Sequence, residues 1–281
     1  MSLRTSLLAS VATLFVLTGP ASASERHFTY TYESNVLNPG DVEIEPWTTW
    51  RAGRESYYSR FDQRLEFEFG VVPDLQMAWY WNMTALTADE TDATSGQTAR
   101  VSGFEFGGVS NEWKYKLSDS FADSVGSALY FEWTAAPAEA ELEGKVILDK
   151  RMGNALLALN LVGEHEWEFE SKDETKREIG IEADLAFGYF LTPSLVLGLE
   201  ARSHSELEDG KKHEVTAFFA GPSVAYAQKA WWMAATVQPQ VFAIKGEEEG
   251  AEADNSALDL EHHERVNVRV LFGMDLCASA A

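Results

Sequence analysis

Acidic side chains recur at every second position in several stretches of the 281-residue sequence. Alternate residues of a β-strand point to the same side of a sheet, so each stretch places several carboxylates on one face. Carboxylates this close attract cations, and they cannot all be ionised unless basic side chains or bound cations lie nearby. The spacing therefore predicts a charged face that attracts cations. The two clearest series are Glu139, Glu141, Glu143 and Glu164, Glu166, Glu168.

Histidine and serine residues offer a second kind of chemistry. His204 lies between Ser203 and Ser205, but a serine hydrolase needs a nucleophile, a base and an orienting group that meet in space. The sequence holds no G-x-S-x-G nucleophile elbow. We therefore predict no catalytic residue and no enzymatic activity, and keep a hydrolase as an alternative. The other histidines considered as bases are His165, His262 and His263.

Metal binding is a third possibility. Glu261, His262 and His263 are consecutive, and consecutive residues of a strand point to opposite faces, so neither a metal site nor a cofactor is predicted. The acidic stretch from Gly246 to Asp254 either is a solvated loop or collects divalent cations that bridge to anionic lipopolysaccharide. The single cysteine, Cys277, excludes an intramolecular disulfide and a cysteine-rich zinc site.

The charge balance limits the classes of partner. There are 45 acidic and 22 basic side chains, for a net charge of -23. Nucleic-acid binding is excluded because it depends on lysine and arginine neutralising phosphates. The 9 Trp, 9 Tyr and 16 Phe residues provide enough apolar surface for a folded core, which a disordered acidic chain lacks.

The first 23 residues have the pattern of a cleaved secretory signal. Arg4 precedes an apolar run from Leu7 to Leu17, and Ala21-Ser22-Ala23 forms a small-residue cleavage site. The run is shorter than the roughly 20 residues that a membrane-spanning helix needs. We therefore expect residues 1–23 to be removed on secretion.

The remaining chain alternates between apolar and polar residues. Leu65, Phe67 and Phe69 are interleaved with Glu66 and Glu68, and comparable patterns recur as far as the last strand, from Val266 to Phe272. These stretches are long enough to cross a membrane as tilted strands, which need about 9 to 11 residues. Apolar residues on one face and ionic residues on the other fit a closed barrel with lipid outside and a polar lumen inside.

The fold predicted is all-β: a transmembrane antiparallel up-and-down β-barrel of about 12 strands over residues 41–276. Residues 24–40 are expected to form a short N-terminal strand or a segment in the lumen, and residues 277–281 a C-terminal tail. Bulges are predicted at Gly107-Gly108 and at Gly221-Pro222, and a long connection from Ala85 to Arg100. Aromatic rings favour membrane interfaces. Trp133 and Trp167 are assigned to the outer interface, and Trp79, Tyr189 and Trp231 to the periplasmic one.

The chain resembles Gram-negative outer-membrane β-barrel proteins, in particular poorly characterised porin-like or transporter-like barrels. The resemblance is carried by the signal sequence, Gly108 to Leu117, Ala138 to Lys145 and the final strand from Val266 to Leu276. It implies a place in the cell outer membrane, contact with outer-membrane lipid and lipopolysaccharide, and assembly by the barrel insertion machinery. It implies no catalytic residue.

The function predicted is a narrow passive pore or transporter for small polar, preferentially cationic solutes. The alternatives are a structural or surface-interaction barrel with a closed, salt-bridged lumen, and an outer-membrane barrel hydrolase. The side chains predicted to line the lumen share the inward parity of their strands. They are Arg60, Arg64, Glu66, Glu68, Glu139, Glu141, Glu143, Lys145, Glu164, Glu166, Glu168, Glu182, Glu200, Arg202, Arg265 and Arg269.

Overall fold

A computed structural model describes residues 26–92, 95–171, 174–208, 212–246 and 257–277. Within these ranges, twelve antiparallel strands form a closed barrel in which consecutive strands pair and β1 pairs with β12. This confirms the predicted fold. The signal sequence and the acidic stretch that follows Gly246 lie outside the described residues. The strands are β1 (Val42–Ala52), β2 (Tyr58–Val72), β3 (Leu75–Thr91), β4 (Thr98–Ser118), β5 (Gly126–Ala136), β6 (Glu139–Met152), β7 (Ala155–Ser171), β8 (Glu174–Thr192), β9 (Leu195–Glu208), β10 (Lys212–Gln228), β11 (Trp231–Lys245) and β12 (Val266–Cys277).

The two ends of the barrel differ. One end, called the turn end below, holds the connections 73–74, 119–125, 153–154, 193–194 and 229–230, together with the start of β1 and the end of β12. The opposite end is called the mouth. The connection predicted from Ala85 to Arg100 is much shorter than expected, because β3 and β4 stay paired as far as Thr91 and Thr98. No helix in the described ranges has the length and apolar character to cross a membrane.

The outer surface of the barrel is apolar. Large side chains such as Leu161, Ile181 and Phe187 are about half exposed, while their neighbours of opposite parity face inward. The alternation follows from strand geometry, in which successive side chains point to opposite faces. An exposed apolar band of this kind is the surface that lipid covers in a transmembrane barrel.

The predicted separation of Trp79 and Trp133 is wrong. Their ring centroids are 5.7 Å apart in an edge-to-face contact, so the two rings share one depth and cannot mark opposite interfaces. The register explains the contact, since both residues pair with Asn111 on opposite edges of β4. Alternation specifies which face a residue takes, but cross-strand register decides its depth.

One of the two predicted bulges is present. Trp81 pairs with Val109 while Met83 pairs with Phe106, so β4 gains a residue at Gly107-Gly108 and its side-chain parity switches there. Gly108 has a φ of 92°, which glycine tolerates without strain.

The bulge predicted at Gly221-Pro222 is wrong. Gly221 and Pro222 pair in step with Glu200 and Leu199 of β9, and the irregularity is instead at Phe218/Phe219 in the pairing with β11. Gly221 instead allows close packing against β11, since a Cβ there would lie 1.8 Å from the carbonyl oxygen of Val237.

Residues 26–38, called the inner segment, form no strand and run through the turn half of the barrel interior. Their fit depends on glycines in the wall. A Cβ at Gly188 would lie 3.0 Å from the Phe28 ring, and one at Gly70 would lie 1.9 Å from the carbonyl oxygen of Asn38. The inner segment therefore occupies space that these glycines leave open.

Polar side chains of the wall replace the strand partners that the inner segment lacks. The carboxylate of Glu200 accepts hydrogen bonds from the backbone N–H groups of Thr29, Tyr30 and Thr31 at 2.9, 2.8 and 3.1 Å. The Asn160 side chain bonds both backbone groups of Tyr32, at 2.6 and 3.0 Å. A buried backbone N–H or C=O group without a partner costs free energy. These hydrogen bonds therefore stabilise the segment in its buried position.

The turn half of the barrel is filled by side chains. Phe28 and Tyr32 of the inner segment pack with inward residues of most strands, and Phe28 is fully buried. The bore is therefore closed at the turn end and open above it. The other members of this core are Trp47, Ala78, Tyr80, Ala128, Tyr130, Ile147, Leu156, Ala158, Ala186, Phe190, Val196, Ala225, Trp232, Ala234 and Leu271.

Candidate functional site

A cavity of about 830 Å³ occupies the mouth half of the barrel. Tyr30, Tyr32 and Trp47, which belong to the inner segment and the core of the turn half, line its inner end. The walls are inward side chains of the strands, and His262, His263 and Glu264 come from the connection between β11 and β12. The cavity is thus a vestibule with a floor, and is called the vestibule below.

Most of the side chains predicted to line the lumen lie around the vestibule. Glu66, Glu68 and Glu200 also face inward, but they are buried in the turn half. Arg265 is wrong as a lumen residue: it is exposed on the connection just before β12, where the parity of the strand does not apply. The vestibule residues of the predicted set are Arg60, Arg64, Glu139, Glu141, Glu143, Lys145, Glu164, Glu166, Glu168, Glu182, Arg202 and Arg269.

Basic side chains are concentrated on one side of the vestibule. Arg51 and Arg60 on β1 and β2 bind the Asp62 carboxylate at 2.8 and 2.6 Å. Arg269 lies over the Tyr30 ring, 3.8 Å from its centroid, and donates a hydrogen bond to Thr49 at 2.8 Å. Two of these cations are therefore partly neutralised by a carboxylate, and the third is held against the floor.

The opposite side, formed by β6, β7 and β8, is acidic. Glu143 pairs with Lys145 at 2.9 Å, and Glu182 pairs with Arg202 at 3.3 Å and with His204 at 3.0 Å. The other acidic residues of this wall share one property: in the described part of the chain no basic nitrogen lies within 4.0 Å of them. They are Glu139, Glu141, Glu164, Glu166, Glu168 and Glu178.

The strand register joins these carboxylates into two rows. Residues directly opposite one another on neighbouring strands lie on the same face and about 4.5 to 5.5 Å apart at Cβ. Each row follows such pairs from β1 to the far side of the barrel. The first row is Glu43, Glu68, Ala78, Glu112, Glu132, Glu143, Glu164, Gly180 and Glu206; the second is Glu45, Glu66, Tyr80, Ser110, Thr134, Glu141, Glu166 and Glu178.

Both rows run obliquely along the barrel wall, from the turn end towards the mouth. Barrel strands tilt by about 35 to 45° from the axis, so a line of directly paired residues spirals along it. Glu43 is the second residue of β1, at the turn end, and Glu206 is the third from last of β9, at the mouth. Glu43, Glu68, Glu112 and Glu132 are buried, whereas Glu143, Glu164 and Glu206 are partly exposed. The first row therefore leads from the vestibule into the closed turn half.

Sequence reasoning missed Glu43, Glu45, Glu112 and Glu132. Glu43 and Glu45 alternate with apolar residues at the start of β1 and have the parity of Trp47, which was a usable signal. Glu112 was hidden by the parity switch at Gly107-Gly108. The rows could not be read from the sequence, because they depend on the register between strands.

His204 does not face the two serines that flank it in the sequence. Ser203 and Ser205 flank His204 on the strand, and flanking residues point to the opposite face of the sheet. His204 bonds Glu182 and Glu206 instead, at 3.0 and 3.3 Å. His204 therefore bridges two carboxylates, and His165 stacks on Trp167 with ring centroids 3.9 Å apart.

His263 lies where the connection before β12 packs into the mouth. Its Nε2 is 3.6 Å from a carboxylate oxygen of Glu206, and its ring packs edge-on against His204 and Phe219. Burial lowers the pKa of His263 to about 4, because the protonated ring would lose its hydration there. The ring is therefore neutral near pH 7.

Carboxylate oxygens come together in three places where a metal ion could be held. In each group the ligand oxygens lie within 4.8 Å of one another. Hard cations such as Ca²⁺ and Mg²⁺ prefer oxygen ligands of this type. One group borders the vestibule, and two are buried in the turn half and share Glu68. The groups are Glu141, Glu143, Glu164; Glu43, Glu45, Glu68; and Glu66, Glu68, Glu112.

Comparison with solved structures places the fold among outer-membrane barrels. The COG4313 outer membrane channel from Pseudomonas putida F1 is similar at a TM-score of 0.57 and 11% identity, over 86% of this chain and 97% of that one. The NanC porin is similar at a TM-score of 0.51 and 11% identity, over 83% and 100% of the two chains. At these identities the likeness concerns the fold, and it confirms the resemblance to outer-membrane β-barrels.

Comparison with protein families gives one match. The model of DUF6662, described as a family of unknown function, matches residues 20–276. No curated protein matches the chain significantly.

Proposed function

The chain belongs to DUF6662, a family of unknown function, and we propose that it is an outer-membrane transport barrel for small polar, preferentially cationic solutes. The turn end faces the periplasm and the mouth faces outward, as short periplasmic turns are usual in such barrels. The N-terminal signal directs the chain towards the outer membrane, and the apolar outer surface of the barrel contacts lipid and lipopolysaccharide. The vestibule captures the solute.

The observation that supports this proposal is the set of six carboxylates on one wall of the vestibule that have no basic partner among the described residues. Glu141 pairs across strands with Glu166, and Glu166 pairs with Glu178. Carboxylates held this close favour a cation between them. A narrow cavity with low-dielectric walls strengthens that preference, since field lines are focused into it.

Passage across the membrane requires a second step. The inner segment closes the turn half, and its backbone is held by Glu200 and Asn160. Displacing the segment, or part of it, opens a route along the carboxylate rows to the periplasm. The barrel is therefore a gated transporter or pore whose gate is its own N-terminal segment.

Ion uptake by proteoliposomes tests this proposal. Purified barrel should admit radioactive rubidium faster than radioactive chloride. Glu141→Gln combined with Glu166→Gln should lower rubidium uptake. Glu105→Gln, which removes a vestibule carboxylate from β4, outside the acidic wall, should have a much smaller effect. Faster chloride uptake, or unchanged rubidium uptake in the double variant, would contradict the proposal.

A closed structural barrel is the second candidate. It is favoured by the filled turn half, in which the inner segment contributes to a continuous core. This candidate predicts no uptake of either ion by wild-type protein and none by a variant with a weakened inner segment. A barrel hydrolase has no comparable support, since neither serine shares a face with His204.

A further inference from the structure

We propose that five buried glutamates between the inner segment and the barrel wall bind a calcium ion. The five are Glu43 and Glu45 on β1, Glu66 and Glu68 on β2, and Glu112 on β4. They make up two groups of three that share Glu68, with ligand oxygens within 4.8 Å of one another in each group. This site is separate from the vestibule and does not depend on transport.

The carboxylates of this cluster are withdrawn from water. Their exposed fractions range from 0 to 5%. An ionised carboxylate so deeply buried is costly unless it is paired, hydrogen-bonded or bound to a metal. In its ionised form the cluster therefore needs compensating positive charge in close contact.

Protein groups supply only part of this compensation. Arg26 lies 3.4 Å from Glu45, and Trp232 donates a hydrogen bond to Glu43 at 3.0 Å. The Tyr80 hydroxyl donates to one oxygen of Glu112. Lys114 on β4 is buried as well and acts electrostatically on Glu45 and Glu112. Two basic side chains thus face five carboxylates.

Glu66 is the observation that points to a ligand. Its side chain is 1% exposed, and neither of its carboxylate oxygens accepts a hydrogen bond from any residue that the structure describes. One oxygen of Glu45 and one of Glu112 are likewise buried without a hydrogen bond within the described part of the chain. Unpaired oxygens from three strands thus converge on a buried cluster, which is the donor arrangement that a cation would complete.

The donor set selects the class of metal. Calcium takes six to eight oxygen ligands at variable geometry, whereas zinc and copper sites use histidine or cysteine. Five carboxylates offer up to ten oxygens. Since they also carry more charge than one calcium ion, Arg26 balances part of the remainder and ties the start of the inner segment to the site.

Sensitised terbium luminescence tests the site directly, because Tb³⁺ replaces Ca²⁺ and is excited by nearby aromatic rings. Tyr80 and Trp232 contact two of the five carboxylates. Full-length purified barrel should give terbium emission that Ca²⁺ competes away. Glu66→Gln combined with Glu68→Gln should remove the emission from this site, leaving at most what the vestibule group Glu141, Glu143, Glu164 contributes.

A matched control removes two other carboxylates from neighbouring strands. Glu139→Gln combined with Glu168→Gln changes a directly paired couple at the mouth, and should retain emission. Emission that is absent from wild-type protein, unchanged in the first variant or lost equally in the control would overturn the site. If the first double variant does not fold, as judged by its heat-dependent gel mobility, Glu112→Gln alone should weaken competition by Ca²⁺, and unchanged competition would equally overturn it.

Discussion

The Glu200 carboxylate and the backbone N–H of Thr29 are joined by a 2.9 Å hydrogen bond across 171 positions of the chain. The same carboxylate accepts from the next two backbone N–H groups. A single wall residue thus holds three consecutive residues of the inner segment, which makes Glu200 the main polar anchor of the proposed gate.

Removing this anchor should loosen the gate. Glu200→Ala leaves three buried N–H groups without their acceptor, and an unsatisfied buried donor costs about 1 to 3 kcal/mol. We expect a lower free energy of unfolding and more frequent channel opening in planar bilayers. Glu168→Ala, at the mouth, is the control. It should change the free energy of unfolding and the opening frequency much less than Glu200→Ala does. Equal opening frequencies in the Glu200 variant and wild-type protein would argue against this gate.

The alternation of residues predicted the barrel, but it could not place the inner segment. Phe28, Tyr30 and Tyr32 alternate like a strand, yet their backbone partners are side chains of Glu200 and Asn160. The local sequence does not show whether these backbone groups pair with a neighbouring strand or with side chains more than 120 positions away. The alternation at residues 24–40 is therefore equally compatible with a short strand and with a segment in the lumen.

The candidate site was predictable in composition and not in arrangement. Parity identified most of the vestibule carboxylates, because a strand has a fixed two-residue period. Whether Glu141 faces Glu166 or a basic residue depends on register, which the alternation leaves open. The contact between Trp79 and Trp133 was missed for the same reason.

The glycine at position 188 should be needed for the ring of Phe28. Gly188→Ala introduces a Cβ 3.0 Å from that ring and from a methyl group of Val196, and overpacking of this kind costs about 1 to 3 kcal/mol. Phe28→Leu should recover part of the loss in a double-mutant cycle followed by chemical unfolding. Gly163→Ala, where a Cβ meets nothing within 4 Å, should be nearly neutral. Additive effects of the two substitutions would contradict this packing.

A charge introduced on the apolar outer surface of the barrel should destabilise the fold more than a charge introduced in the vestibule. Leu161 is 51% exposed on the outer face of β7. Leu161→Arg near the bilayer midplane should cost about 2 to 4 kcal/mol in folding titrations into lipid. Glu164→Arg, three residues along on the inner face, should cost much less because its side chain enters the acidic vestibule. Similar losses in the two variants would mean that the facing is misassigned.

Acid should weaken the packing of the connection before β12. The pKa of His263 is lowered from 6.5 to about 4, so a displaced or unfolded state binds a proton more readily. The stabilisation is complete above pH 6.5 and is lost progressively as the pH falls towards 4. Glu206, Glu264, His204 and Arg202 are the charged or titratable groups around the ring.

Thermal unfolding at several pH values measures this effect. The difference in melting temperature between wild-type protein and His263→Gln should change as the pH falls from 6.5 towards 4, and should stay constant above pH 6.5. A difference that does not vary with pH would show that the pKa of His263 is the same in the folded and unfolded states, and would contradict this prediction.

The reversal potential of single barrels in planar bilayers under a potassium chloride gradient tests the central claim most directly. The acidic wall predicts a potential of the sign that marks cation preference, shifted towards zero by Glu141→Gln with Glu166→Gln, and shifted likewise as acid protonates the glutamates. A potential of the opposite sign, or one that the double variant leaves unchanged, would contradict a cation-selective vestibule.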